Sequence, residues 1–300
     1  MGKTVRITLL GGDQRQIYAA ERLAQHYEVR LWGLEKGDRV FSASIFSDWE
    51  EAIADANAVI LPLPVSSDGV RVFMPMGGSL TPLRLDVLLP HLEGKLLLGG
   101  RMDTSLRQRA DRAGVSWIDY FESELLQLRN AVPTAEGASA IAMAELPVTL
   151  DGCEVGVIGY GRIGSVLADK LTALGAHVTV YARRAEQRVL AQMHHQRAMP
   201  LLEGDGSCTL SRISKACRVI WNTVPSRILT RSVMEGMHRD CLLIDLASPP
   251  GGIELAAAAE LGIRAIWGSA LPGRCTPESA GWILGETLEE ILSHHFDAEG

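Results

Sequence analysis

Strand-like apolar runs alternate with helix-period segments throughout this 300-residue chain. That alternation predicts an α/β protein built on doubly wound parallel sheets. Two stretches indicate two such sheets. One runs strand, glycine turn, helix, strand from Val5; the other repeats that succession from Glu154. A third observation concerns the end of the chain. Thr276 as a cap and Pro277 at a first helical position start a long helix with the apolar stripe Ala280, Ile283, Leu284, Leu288, Ile291 and Leu292. This helix is expected to return to the first domain. The expected domains are 1–130 plus 276–300, and 131–275, with a cleft between them.

In the first half, Val5–Leu10 reads as a strand ending in Gly11-Gly12-Asp13-Gln14-Arg15-Gln16. A helix over Ile17–His26 and a strand over Val29–Trp32 follow. Where a nucleotide site would carry small residues, this turn carries Asp13, Arg15 and Gln16, which suits a small polar ligand better than a pyrophosphate. The alternative is that Asp13 caps the helix and Arg15 is solvated. Further strands are expected at Ala58–Leu63, Lys95–Leu98 and Val115–Tyr120, with a helix near Thr104–Ala113. Their carboxyl-end loops hold Pro64–Ser67, Gly99–Arg101 and Tyr120–Glu122, so Arg101 and Glu122 join the candidates. The glycine- and proline-rich stretch 73–82 is either a flap or an ordinary loop. Thr134 and Glu136 read as the cap and first-turn acid of a small-residue helix, Ala138–Glu145, which places Glu136 near the cleft.

The second half is more specific. Glu154–Ile158 is a β-branched apolar run, and Gly159-Tyr160-Gly161-Arg162-Ile163-Gly164 follows at once. Gly159 permits the tight turn, Gly161 admits a pyrophosphate and Gly164 lets helix and strand pack. Helical spacing then runs to Leu174, Gly175 stands at the helix end, and His177–Tyr181 is a second strand. A glycine triplet in this strand–turn–helix–strand context predicts a Rossmann dinucleotide site. At the end of the second strand an NAD site usually has a carboxylate; here stand Ala182, Arg183 and Arg184. Paired guanidinium groups suit a 2′-phosphate, so NADP is favoured, with NAD remaining open. Strands at Arg218–Thr223, Cys241–Leu246 and Ile263–Trp267 complete the sheet. The loop Asn222-Thr223-Val224-Pro225 is expected over the cofactor, and Arg274 on a loop facing the cleft.

Bulk properties exclude several classes. Hydrophobic residues make up 47% and charged residues 22% of the chain, enough to pack a core. The net charge is −7 with no basic stripe, so nucleic acid is not an expected partner. No apolar run is long enough to span a bilayer and no leader is evident, so a cytoplasmic protein is expected. Five cysteines without a C-x-x-C pair argue against a disulfide framework or a zinc site. Cys275 differs from the other four in sitting in a polar loop. The adjacent pairs His194-His195 and His294-His295 cannot share a helix face, and no metal is expected.

With these residues in view, the chain resembles the A-subunit family of bacterial dipicolinate synthases. The carrying features are Gly11-Gly12-Asp13-x-Arg15-Gln16, Pro133-x-x-Glu136-Gly137, the Gly159–Gly164 turn, Asn222-Thr-Val-Pro225, and Pro272-Gly-Arg-Cys-Thr-Pro277 with Ser279-Ala-Gly281. They span nearly the whole chain, in order. Arg274 and Ser279 depart from the Lys and Thr usual there, preserving charge and hydroxyl. The resemblance implies an NAD(P)-dependent oxidoreductase making pyridine-2,6-dicarboxylate (dipicolinate) during sporulation. Its substrate would be the dihydro-dicarboxylate or its 4-hydroxy-tetrahydro precursor. It also implies a partner, the flavoprotein-like B subunit of dipicolinate synthase, with homo-oligomerisation left open. In that chemistry Arg15, Gln16, Arg101 and Arg274 would bind carboxylates, and Asp13 or Glu136 would take the proton. One alternative is a D-2-hydroxyacid-dehydrogenase-like enzyme. Its Arg…Glu…His set would use Arg183 and Glu203, but Trp267-Gly-Ser-Ala-Leu-Pro lacks the histidine. The other is a noncatalytic nucleotide-sensing protein that only serves a partner.

Overall fold

The computed structural model describes residues 5–35, 37–202, 208–209 and 217–298. Glu203 of the alternative catalytic set lies outside them. Contacts divide the chain into two compact units, Met1–Asn130 with Thr276–Gly300, and Ala131–Cys275.

In the first unit, β1 (Arg6–Leu10) leads into α1 (Gln14–Leu23) and β2 (Glu28–Trp32). Then follow β3 (Ala43–Ile45), α2 (Trp49–Ile53), β4 (Ala58–Ile60), α3 (Leu85–Leu88), β5 (Leu96–Gly99), α4 (Thr104–Arg112) and β6 (Ser116–Asp119). The strands are parallel in the order 3-2-1-4-5-6. The winding direction reverses between β1 and β4, which makes their carboxyl-end loops the natural ligand crevice. β1 and β4 are buried almost throughout because helices cover both faces. β3 is short, half exposed and at the sheet edge, and its sequence carries no apolar run to betray it.

The C-terminal helix, Pro277–Ala298, packs on α1. Leu284, Leu288 and Leu292 share a core with Ile17, Ala20 and Leu23. Two glycines permit the close approach: a Cβ on Gly281 would lie 2.5 Å from Tyr18 Cβ, and one on Gly285 would lie 2.8 Å from Arg22 Cβ. An ion pair between Arg22 and Glu289 at 2.8 Å flanks the contact. Thr276 caps the helix differently from the expectation. Its hydroxyl is buried without a partner, and its carbonyl accepts from the Ala280 N–H at 3.0 Å.

α5 (Glu124–Glu145) corrects the sequence reading. It begins well before Ala138 and contains Pro133, so Thr134 is an interior residue and caps nothing. The missing N–H of a helical proline costs about 3 kcal/mol. Ala135, Ala138 and Ala142, all buried in the second unit's core, offset that cost.

The second unit repeats the first unit's winding. β7 (Glu154–Ile158), α6 (Arg162–Ala173), β8 (His177–Ala182), α7 (Ala185–Met193) and β9 (Arg197–Pro200) are followed by β10 (Val219–Asn222), β11 (Leu242–Asp245) and β12 (Ala265–Trp267). The parallel order is 12-11-10-7-8-9, with the switch point between β7 and β10. The segment read as a polar loop around Arg274 is a short helix, Leu271–Cys275. Among the described residues no helix is long and apolar enough to cross a membrane, and no His, Cys, Asp or Glu cluster has the geometry of a metal site.

Candidate functional site

At the second unit's switch point the three glycines have separate jobs. Gly159 sits at φ +91°, and a Cβ there would meet Thr223 Oγ1 at 2.4 Å. Gly164 lies against the turn so closely that a Cβ would be 2.2 Å from the Gly159 carbonyl oxygen. Gly161 caps α6 and faces open space, with nothing within 4 Å of where its Cβ would be. The turn therefore leaves backbone N–H groups at the helix start accessible to an anion.

A cavity of about 980 Å³ opens here. It brings together Gly159, Tyr160, Gly161, Arg183, Arg184, Thr223, Val224 and Pro225 of the expected cofactor residues. Arg162, Ile163, Gly164, Ala182 and Asn222 do not line it. Gly164 is instead the packing glycine, Ala182 is a buried strand end, and Asn222 is fully buried. Asn222 shapes the loop rather than touching a ligand. Its Nδ2 donates to the Val224 carbonyl at 3.0 Å and to Asp245 Oδ1 at 2.9 Å. Asp245, also buried, accepts further from the N–H groups of Ala247, Gly252 and Ile253. Tyr160 lines the cavity, but its hydroxyl is buried, and desolvation pushes the phenol up to about 12.

The lining also contains Ser226, at the end of the loop expected over the cofactor, and Gln187 and Arg227, which the sequence does not single out. The available signal was position: Ser226 and Arg227 directly follow Pro225 on a strand-end loop. Among the described residues, no carboxylate lines the cavity.

At the first unit's carboxyl edge, Asp13 does cap α1, accepting from the Arg15 N–H at 3.0 Å. Its two oxygens also grip the Arg15 guanidinium, with Nε at 2.9 Å and Nη2 at 2.8 Å. Nη2 of Arg15 bonds the Leu63 carbonyl as well, so the side chain ties the β1 loop to the β4 loop. Arg15 is buried rather than solvated, and it uses up Asp13 as an ion partner. Gln16 is 1% exposed and donates to the Leu61 carbonyl, which makes it a core residue and not a ligand contact.

Arg101 stands in the left-handed region at φ +58°, which is unusual for a residue with a side chain. Asp119 holds it there: the carboxylate accepts from the N–H groups of Arg101 at 2.8 Å and Met102 at 2.7 Å, and from Arg107 Nη2. Arg101 itself is exposed. Glu122 pairs with Arg107. The 73–82 stretch is anchored at its start, with Phe73 N–H bonded to the Val65 carbonyl and Met74 packed against Gly11 and Gly33.

Glu136 does not reach the dinucleotide cavity. It lies within α5 and pairs with Lys170 at 2.8 Å. Lys170 is about 12 Å along α6 from the helix start that faces the cofactor. Arg274 is exposed, with one contact at 3.4 Å to the Ser269 carbonyl.

Comparison with known proteins fits this geometry. Residues 6–121 match the family described as the N-terminal domain of the dipicolinate synthase A subunit. Residues 125–247 match the D-isomer specific 2-hydroxyacid dehydrogenase NAD binding domain. The dipicolinate synthase A subunit of Bacillus subtilis (strain 168) is 29% identical over 298 residues, which is 99% of this chain and 98% of that protein. The chain is a homologue of the dipicolinate synthase A subunit. The crystal structure of that protein from Bacillus subtilis superposes with a TM-score of 0.85 at 28% identity, covering 100% of this chain and 99% of that one. The corresponding Bacillus halodurans structure gives 0.85 at 25% identity over 96% and 98%. With an NAD-binding domain matched and the turn built to receive an anion, this homologue is an NAD(P)-dependent oxidoreductase with a nicotinamide dinucleotide as cofactor.

Proposed function

We propose that this protein forms pyridine-2,6-dicarboxylate by NADP-dependent oxidation of the dihydro-dicarboxylate, as the A subunit of a sporulation-linked dipicolinate synthase. The observation that carries the reading is the full-length similarity to A subunits, joined to a dinucleotide cavity edged by Arg183 and Arg184 and, among the described residues, lined by no carboxylate. When bound, the nicotinamide ring supplies the hydride acceptor. The chain's own residues bind and orient. The Gly159–Gly161 turn and the start of α6 take the pyrophosphate. Arg183 and Arg184 take the 2′-phosphate, a pairing that a carboxylate at the same place would repel.

The first unit is assigned the substrate. Two carboxylates need cationic partners, and its carboxyl edge offers Arg101 together with Arg15, whose guanidinium is already shared with Asp13. Asp13 orients the Arg15 fork, and both of its carboxylate oxygens are engaged by that guanidinium. Loss of a hydride and a proton from the dihydro ring gives the aromatic product, so the ring's own stabilisation drives the step. A flavoprotein-like B subunit is the expected partner.

Turnover by the purified chain tests the reading. Dihydro-dicarboxylate with NADP⁺ should yield pyridine dicarboxylate absorbance and NADPH in equal amounts. Turnover of a D-2-hydroxyacid instead would move the assignment to the dehydrogenase alternative. No turnover, alone or with the B subunit, would leave only nucleotide sensing. Arg101→Ala should raise the substrate KM about tenfold or more, as expected for a lost charge-assisted contact, with NADPH affinity unchanged. An unchanged KM removes Arg101 from the substrate site.

A further inference from the structure

The loop that follows β10 is held with more hardware than a solvent loop requires. Asn222 binds both the N–H and the carbonyl of Val224, at 3.2 and 3.0 Å. On the far side, the N–H groups of Ile228 and Leu229 both donate to the Gly252 carbonyl, at 3.0 and 2.9 Å. The loop wraps Gly252 so tightly that a Cβ there would lie 2.7 Å from the Val224 carbonyl oxygen and 2.8 Å from that of Ser226. Gly252 is itself fixed by its N–H to the buried Asp245 carboxylate at 2.7 Å. Between these two anchors the chain presents Arg227, exposed and lining the same cavity as Arg183 and Arg184. Its guanidinium has no partner among the described residues.

Topology says where this arginine stands. β7 lies between β8 and β10, so the Arg183–Arg184 loop and the Arg227 loop leave the carboxyl edge on opposite sides of the glycine turn. The diphosphate is already served by that turn. What the cavity adds is cationic charge from both flanks, and among the described residues no carboxylate lines it, which matches an extra phosphate on the nucleotide.

We propose that Arg227 is a specificity-determining residue that grips the 2′-phosphate from the flank opposite Arg183 and Arg184, and that the Asn222–Asp245–Gly252 network is its positioning device. The proposal rests on the NADP reading above. A rigid loop matters because a guanidinium already in place loses less conformational entropy on binding.

Calorimetric titration of the full chain with 2′,5′-ADP and with 5′-ADP tests this without turnover. Wild type should bind 2′,5′-ADP more tightly. Arg227→Ala should weaken 2′,5′-ADP about tenfold or more, the loss expected for one charge-assisted pair, and leave 5′-ADP within twofold. Arg227→Lys should recover part of the loss. Retained 5′-ADP binding doubles as the folding control. Equal loss for both nucleotides, at an unchanged Tm, would place Arg227 on the diphosphate or adenine and overturn the proposal; so would no loss at all. Wild type binding both nucleotides equally would instead bring down the NADP reading, and this proposal with it.

Discussion

Single atoms decide the behaviour of the glycine turn. Gly161 and Gly164 look alike in the motif, yet one faces open space and the other presses on a carbonyl oxygen at 2.2 Å from its would-be Cβ. Gly161→Ala should therefore fold within about 0.5 kcal/mol of wild type while weakening dinucleotide binding, because the methyl occupies ligand space. Gly164→Ala should cost about 3 kcal/mol in a urea melt, the upper range for overpacking. Equal effects of the two substitutions would refute this division of roles. The cysteines separate in the same way. Burial pushes the Cys217 thiol up to about 11 and the Cys241 thiol up to about 12, while Cys275 is exposed. Maleimide at pH 8 should label Cys275 while native protein protects Cys217 and Cys241. The sign of the linkage follows. A thiol whose folded pKa is raised contributes stability that is complete below the unfolded value, near 8.5, and is lost as pH rises through the folded value. Thermal stability should fall from about pH 8.5 upward, and Cys241→Ala should flatten that fall.

Helices and strands show where the sequence was legible and where it was not. The β7–α6–β8 unit was readable because a buried strand, a glycine turn and an amphipathic helix each leave a local pattern. The edge strands β3 and β9 left none, being short and partly exposed. Pro133 misled the reading of α5, because a proline normally marks a boundary and here the burial of an alanine stripe outweighs it. Of the candidate ligands, Arg183 and Arg184 reached the cavity, whereas Gln16, Glu136 and Asn222 were drawn into the core or into ion pairing. No sequence spacing reports whether a polar side chain points to the crevice or to a neighbouring carbonyl. The C-terminal helix makes a prediction at this scale. Gly281→Ala would bring a methyl within 2.6 Å of the Arg15 carbonyl oxygen, and should destabilise the first unit by about 1–3 kcal/mol. An unchanged chemical-denaturation midpoint would show that the α1 contact yields freely.

At the scale of the whole molecule, each unit has its own sheet and its own core, so ligand effects should be local. A dinucleotide at a hundred times its Kd stabilises what it binds by about 2.7 kcal/mol. Hydrogen exchange should therefore slow across residues 131–275 on adding NADPH, with the sheet of the first unit little changed. Uniform protection of both sheets would mean that the two open as one cooperative body. The sequence by itself determined the two parallel sheets, the dinucleotide turn and the returning helix, because apolar periodicity, glycine placement and a Thr-Pro start are local properties. Only the tertiary structure decided which charges are spent and which remain free. Asp13 is consumed by Arg15, Glu136 by Lys170, and Asp245 by a knot of N–H donors, while Arg101 and Arg227 are left exposed. A hydrogen bond depends on where two distant segments meet in space, and their separation along the chain carries no record of that.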